Sequence, residues 1–477
     1  MLQKRMICNI LGEVMQSENI LGTQPVGKLL RKFAVPSIVS MLVISLYNIV
    51  DQFFIGQTVG HLGNAATNVA FPITTLCLAV TLAFGIGGAS GFNLNLGAGD
   101  KKQAMKYIGN SVTMLFVVGI VIAIVAQIFL SPVLVLCGAS KNVLPYGIEY
   151  MRVILIGVPF VMLAGGGAHL VRADGSPWYS MACNLSGAIA NVILDYLFVM
   201  KFGWGMTGAA VATVIGQVLS FAIVVRYLFN FKADKLLLKH LKPQFRIVLR
   251  TMQLGAAQFF NQLAMMVVQV VANLSASHYG ALSKYGPDIP LACSGVMIKV
   301  LMVYFSFCIG ISQGMQPIAS FNKGAKKYDR VKKVFLLALA CNEVISIIAW
   351  IVMQTFPSQI MGMFGNGNEL YIECGTKFCH IVAALTFING IQPLTSTFCT
   401  AIGKPAKGTF ISLTRQIIFW LPLLIVMPIV FMHFGKEGID GMMYSTPVAD
   451  ALAAIVSVII IIGIFKKELN TKAENML

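Results

Sequence analysis

Charge is what this chain has least of. Only 11% of its 477 residues are charged while 57% are apolar, and the mean hydropathy is +0.79. So little polar surface cannot cover a soluble globule of this length, and the composition places the chain in a bilayer. Other absences narrow the function. The ten cysteines form no CxxC pair and are scattered, so they read as small buried apolar residues with neither a disulfide nor a zinc framework. The six histidines show no metal-ligand spacing, and no GxxxxGK[ST] loop is present to cradle phosphates, which argues against ATP-driven transport by this chain alone. The first 28 residues are mixed and polar, and the first apolar run is long enough to be a span; no cleavable leader is expected and the N-terminus should stay in the cytoplasm.

What the chain has in abundance is apolar runs of about 20 residues, the length that crosses a bilayer. Twelve are counted, the first at 32–57, the tenth at 376–401 and the last at 441–465. The net charge of +17 is distributed by side. Even-numbered loops and both tails carry the basic clusters, such as GDKKQAMK at 99–106 and NKGAKKYDRVKK at 322–333, whereas odd-numbered loops have scattered single lysines. The positive-inside rule then puts both termini in the cytoplasm, and the basic excess is read as topology and contact with anionic lipid, with no nucleic-acid partner.

The chain repeats itself. Residues 85–102 match 310–327 without a gap, 30–40 match 249–259, 172–177 match 401–406, and 202–208 match 434–441. Both copies of each landmark fall on one side of the membrane, so the halves are parallel. The expected fold is an all-α polytopic membrane protein: twelve transmembrane helices in two parallel six-helix lobes, related by a pseudo-two-fold along the membrane normal. Its expected parts are a tail at 1–28, a first lobe at 29–229, a linker at 230–246, a second lobe at 247–466 and a tail at 467–477. In this alignment Pro36, a kink or hinge residue of the first span, is matched by Gly255, itself a flexible residue. The glycines 85, 87, 88 and 91 are read as a close-packing surface, since no strand precedes them as a nucleotide loop requires.

Charges at membrane depth are costly and mark candidate sites. Asp51 has Tyr47 one turn before it and Asn48 alongside, and Asp195 has Asn191 one turn before it. Thr213 falls at a comparable depth in the sixth span. Carboxylate, amide and hydroxyl oxygens at one level suit a hard cation such as Na⁺ or a bound proton, and two carboxylates in one desolvated pocket cannot easily both ionise. The alternative is a single aspartate reaching for the interface. Asp195 is matched in the second half by Leu423, so the carboxylate is not required by the shared fold. Lys299, Glu343, Arg415 and Asp450 are the remaining intramembrane charges. Arg415 is expected to snorkel to the nearer interface, and Lys299 to pair with Glu343 or Asp450 or to tune a cleft.

Together, PSIVSMLVISLYNIVDQFFIGQTVG, LGAGDKKQA, RADGSP, NVILDYLF and GMTGAAVAT resemble the multidrug and toxic compound extrusion (MATE) family, in particular its MepA and DinF branches, over residues 25–466. The resemblance implies efflux of bulky, often cationic and amphipathic compounds coupled to H⁺ or Na⁺, with no cofactor and no enzymatic reaction. It maps a coupling-ion site onto Asp51, Asn191, Asp195 and Thr213, with Tyr47 and Pro36 also matching. The acidic pair of the NorM-like branch is missing: the seventh span offers Asn261 and Gln262, and the tenth offers no carboxylate. Asn48, Asn261, Gln262, Lys299 and Arg415 are candidates for a substrate cleft. The expected protein is a plasma-membrane monomer exchanging small organic substrates among lipids. One rival is a flippase for a lipid-linked oligosaccharide, which needs several cleft cations for a pyrophosphate; another is a membrane receptor or intramembrane enzyme.

Overall fold

A computed structural model describes residues 19–363, 369–467 and 469. The ends of both expected tails therefore lie outside the described residues. Twelve helices are long and apolar enough to span: α1 Val26–Thr58, α2 Leu62–Gly97, α3 Lys101–Ile128, α4 Leu144–Ala173, α5 Pro177–Lys201, α6 Gly205–Leu228, α7 Phe245–Ala281, α8 Asp288–Gly324, α9 Tyr328–Thr355, α10 Glu369–Ile388, α11 Pro405–His433 and α12 Gly438–Lys467. Among the described residues there is no strand.

Local chemistry sets the ends. The Asp100 carboxylate accepts from the Gln103 N–H at 2.9 Å and caps α3. Pro177 and Pro405 open α5 and α11, where a missing N–H costs nothing. Gly175 and Gly403 turn the chain before them with φ of +81° each. α10 differs from expectation: it begins at Glu369, leaves α geometry after Val382, passes through turns and a 3-10 segment Thr386–Ile388, and continues as a separate helix Ile391–Ala401. Pro393 explains the restart, since it is tolerated in a first turn but not in a helix interior. Glu369 and Glu373 thus belong to α10, which corrects the expectation that the tenth span has no carboxylate. Glu373, however, lies near its end and is spent on Lys284 and on the Tyr285 hydroxyl at 2.9 Å.

The duplication stands, with its register moved. Gly87 on α2 approaches the Thr251 carbonyl of α7, and Gly255 on α7 approaches the Ala83 backbone of α2; in the other copy Gly314 and Gly310 on α8 approach Ala34 and Ile38 on α1. These reciprocal contacts equate Gly87 with Gly314 and Gly255 with Ile38. Gly255 is therefore a close-packing residue in a different register from Pro36, not its flexible counterpart. Likewise the positive-φ turn after α2 is at Gly99 and its match after α8 is Lys326, with φ of +56°. The gapless alignment slips here because loop lysines and glycines recur at neighbouring positions, whereas the turn conformation does not.

The first helix of each lobe is shared. Leu29, Leu30 and Phe33 of α1 are buried in a cluster with α8, α9 and α12, whereas Ile55 near the other end of α1 belongs to the core of the first lobe. α7 mirrors this: Ile247 and Leu254 pack into the first lobe, Val268 and Ala272 into the second. Pro36 sits between the two close approaches of α1 to α8. The linker is anchored too. The Asp174 carboxylate accepts from the backbone N–H groups of Lys232 and Ala233 at 2.6 and 3.0 Å and from the Tyr227 hydroxyl at 2.9 Å, and Gln244 N–H donates to Asn110 at 2.6 Å.

Candidate functional site

α1 and α5 bring the predicted acidic residues together. The Asp51 and Asp195 carboxyls lie within hydrogen-bonding reach of each other, with Tyr47 close to both. Asp195 is 0% exposed and Asn191 3%. The Asn191 amide nitrogen donates to the Thr213 hydroxyl of α6 at 3.3 Å, which fixes the amide oxygen on the opposite side. Gly216, whose backbone lies against Asn191, and Gly187 let α5 and α6 cross closely enough for this contact.

Four buried oxygens here accept no well-formed hydrogen bond, namely Asp51 Oδ1, Asn191 Oδ1 and both oxygens of Asp195, although the Asn191 amide lies near the Asp195 carboxyl. Buried acceptors without donors are rare and costly. As two ionised carboxylates the pair has nothing to share; one proton between them makes a hydrogen bond, and a monovalent cation among the oxygens would offset one of their two charges. Among the described residues no cluster of three or more His, Cys, Asp or Glu is suited to a metal ion.

Immediately after Asp195 the helix widens to π geometry over Tyr196–Lys201, with the Phe202 N–H bonded back to the Leu197 carbonyl at 2.9 Å. Single π turns recur where a helix must re-aim a functional residue. One member of the site was not foreseen: Tyr150 of α4, buried and close enough to interact with Asp51, Asp195 and Tyr47. Nothing in its local sequence separates it from other tyrosines in spans.

The other candidates lie apart. Asn48 is exposed on α1, while Asn261, its amide near the Met265 sulfur, and Gln262 are both half-buried on α7. Among the described residues no hydrogen bond joins these three to the aspartates. Lys299 is half-buried on α8. Arg415 does not snorkel. It is 8% exposed, its Nε donates to Asp450 Oδ1 at 2.6 Å, and Asn389 donates to Asp450 Oδ2 at 2.8 Å. Asp450, one of the two carboxylates considered for Lys299, is thus engaged by Arg415 and Asn389.

A sequence model of the MatE family matches residues 36–197 and 257–426, one match in each half. The multidrug export protein MepA of Staphylococcus aureus strain MRSA252 is 23% identical over 92% of this chain and 94% of its own length. The protein of that name from Staphylococcus saprophyticus is 23% identical over 90% and 92%. Among solved structures, a multidrug resistance MATE family transporter of the MOP superfamily in its outward-facing conformation superposes with a TM-score of 0.85 at 20% identity, covering 93% of this chain and 97% of that one. A MOP superfamily transporter from Pyrococcus furiosus gives 0.86 at 20% identity, covering 94% and 98%. Two duplicated family matches, twelve spanning helices and this shared fold lead to one conclusion: the chain is a multi-pass membrane protein belonging to the MatE family of transporters.

Proposed function

We propose that this protein is a secondary active exporter of bulky organic cations, coupled to H⁺ or Na⁺ at Asp51, Asn191, Asp195 and Thr213. The observation that carries the reading is the set of buried oxygens in the first lobe that accept no well-formed hydrogen bond, which a proton or cation satisfies. The name carried by the staphylococcal relatives, multidrug export protein, supports the substrate class. The basic clusters in the linker-side loops support cytoplasmic termini, and a plasma-membrane monomer belongs to the same reading.

The coupling follows from position. Pro36 divides α1 into a half buried in the second lobe and a half bearing Tyr47 and Asp51, so charge arriving at Asp51 alters the bend at Pro36 and with it the α1–α8 contact at Gly310 and Gly314. Ion and drug act on one equilibrium only if each binds the two states unequally. A pyrophosphate-carrying flippase needs several cleft cations, and a single guanidinium, Arg415, already partly committed to Asp450, falls short of that.

Efflux of a cationic dye from cells, under separately imposed proton and sodium gradients, tests the proposal. Efflux should follow one gradient and be lost in Asp51→Asn and Asp195→Asn at unchanged surface expression. Wild-type efflux in both variants sinks the assignment.

A further inference from the structure

We propose that the second lobe holds its own binding site, for an aromatic carboxylate, in which the terminal amino groups of Arg415 grip the carboxylate between Phe305 and Trp420. The inference goes beyond the export of cations and does not depend on it.

The two lobes use corresponding ground differently. Matching the turns at Gly175 and Gly403 and the helix starts at Gly205 and Gly438 puts Arg415 where the first lobe has Gly187, and Asp450 where it has Gln217. In the first lobe Gly187 and Gly216 let α5 and α6 touch backbone to backbone. In the second, an arginine and its aspartate hold that ground instead, with three local departures from regular packing around them. α11 is π-helical over Thr414–Trp420, α10 is broken beside Asn389, and the guanidinium lies 5.6 Å from the Phe305 ring centroid and 5.5 Å from that of Trp420. A fold that needed only a packed crossing had glycine available.

The pair is asymmetric. Asp450 is saturated, with one oxygen on Arg415 and the other on Asn389, and only 2% of its side chain is open. Arg415 spends Nε alone; its terminal amino groups donate to no described residue, and 10% of its side chain remains open. Trp420 Nε1, on the same π-helical segment, is a buried donor without an acceptor. Gln416 Oε1 is an unmet acceptor there, and its amide carries two further donors. Beside the open amino groups of Arg415, this cluster therefore offers the Trp420 N–H as an unmet donor, against one unmet acceptor in Gln416 Oε1. A guanidinium edge matches a carboxylate in two parallel bonds, and the neighbouring Phe305 and Trp420 rings suit an aromatic ring attached to it. The site abuts the surface between lobes: Ser306, next to Phe305, meets Ser45 of α1 at 2.8 Å.

The test is equilibrium binding of radiolabelled 2-naphthoate to the full chain in lipid nanodiscs, with 2-naphthyltrimethylammonium as the cationic counterpart. Wild type should bind naphthoate saturably. Arg415→Lys keeps the charge opposite Asp450 but loses the fork, and should weaken naphthoate about tenfold or more while the thermal midpoint holds. Should that variant fail to fold, Phe305→Leu removes one aromatic wall and should weaken naphthoate severalfold. Asp51→Asn should leave naphthoate binding unchanged while weakening the cation. The proposal is overturned by absence of saturable naphthoate binding to wild type, by wild-type affinity in a folded Arg415→Lys or Phe305→Leu, or by loss of naphthoate binding in Asp51→Asn. Failure of the cation to bind strikes the exporter reading and leaves this one standing.

Discussion

At the scale of single residues, Asp195 carries a cost that its counterpart does not. The second lobe has Leu423 at the matching position and still builds a spanning helix, so the shared fold does not require a carboxylate there. Replacing a buried, poorly satisfied carboxylate by a hydrocarbon of similar volume should be neutral or stabilising, by up to about 2 kcal/mol. Asp195→Leu is therefore expected to melt at or above the wild-type midpoint in detergent while losing transport; a midpoint lower by several degrees contradicts this. Arg415 behaves oppositely. Arg415→Met strands a buried Asp450 and should destabilise by about 3–5 kcal/mol, and Asp450→Leu added to it should restore most of that loss. The first pair was legible because an amide and an acid one turn apart stand out in a hydrocarbon run. The second was not, because Arg415 and Asp450 lie on different helices and hydropathy alone sends an arginine to the interface. Tyr150 left no signal at all.

At the scale of elements, glycines set the distance between lobes. An added Cβ at Gly255 would lie 2.0 Å from the Ala83 carbonyl oxygen, a collision with backbone that no rotamer relieves. Gly255→Val should force α2 and α7 apart, raising thiol-reagent access to a cysteine placed near Thr251 and stopping transport; unchanged access speaks against a close inter-lobe seam. The close-packing role of the α2 glycines was readable from their spacing and surroundings. The register of the repeat was not, since it is fixed by turn conformations at Gly99 and Lys326 that composition does not encode. The break after α10 was likewise hidden, because apolar residues run on through Asn389.

The linker makes a prediction with a definite sign. Burial lifts the Asp174 carboxyl from the usual carboxylate range to about 6, although the N–H and O–H donors of Lys232, Tyr227 and Ala233 pull it the other way. A carboxyl that titrates higher in the folded chain than in the unfolded one takes up its proton first in the fold, so acidification from pH 7 through 6 towards 4 favours the folded state. The thermal midpoint of wild type should accordingly gain on that of Asp174→Asn as pH falls from 7 to 5. A gap moving the opposite way shows that the donors, not burial, govern this group.

At the scale of the whole molecule, two copies of one six-helix unit have kept their packing and divided their chemistry. α1 and α7 each reach into the opposite lobe, so neither lobe moves without bending or sliding a shared helix. Of these two shared helices, α1 and not α7 carries both a proline at the crossing and a carboxylate beyond it. The central claim is that charge held between Asp51 and Asp195 drives this asymmetric hinge. Purified protein in liposomes, loaded with a cationic dye at fixed gradients, tests it most directly: dye movement and countermovement of H⁺ or Na⁺ are recorded together for wild type and Asp195→Asn. The account predicts dye movement tied to ion countermovement in wild type and neither above background in the variant. Tightly coupled exchange persisting in Asp195→Asn would contradict it.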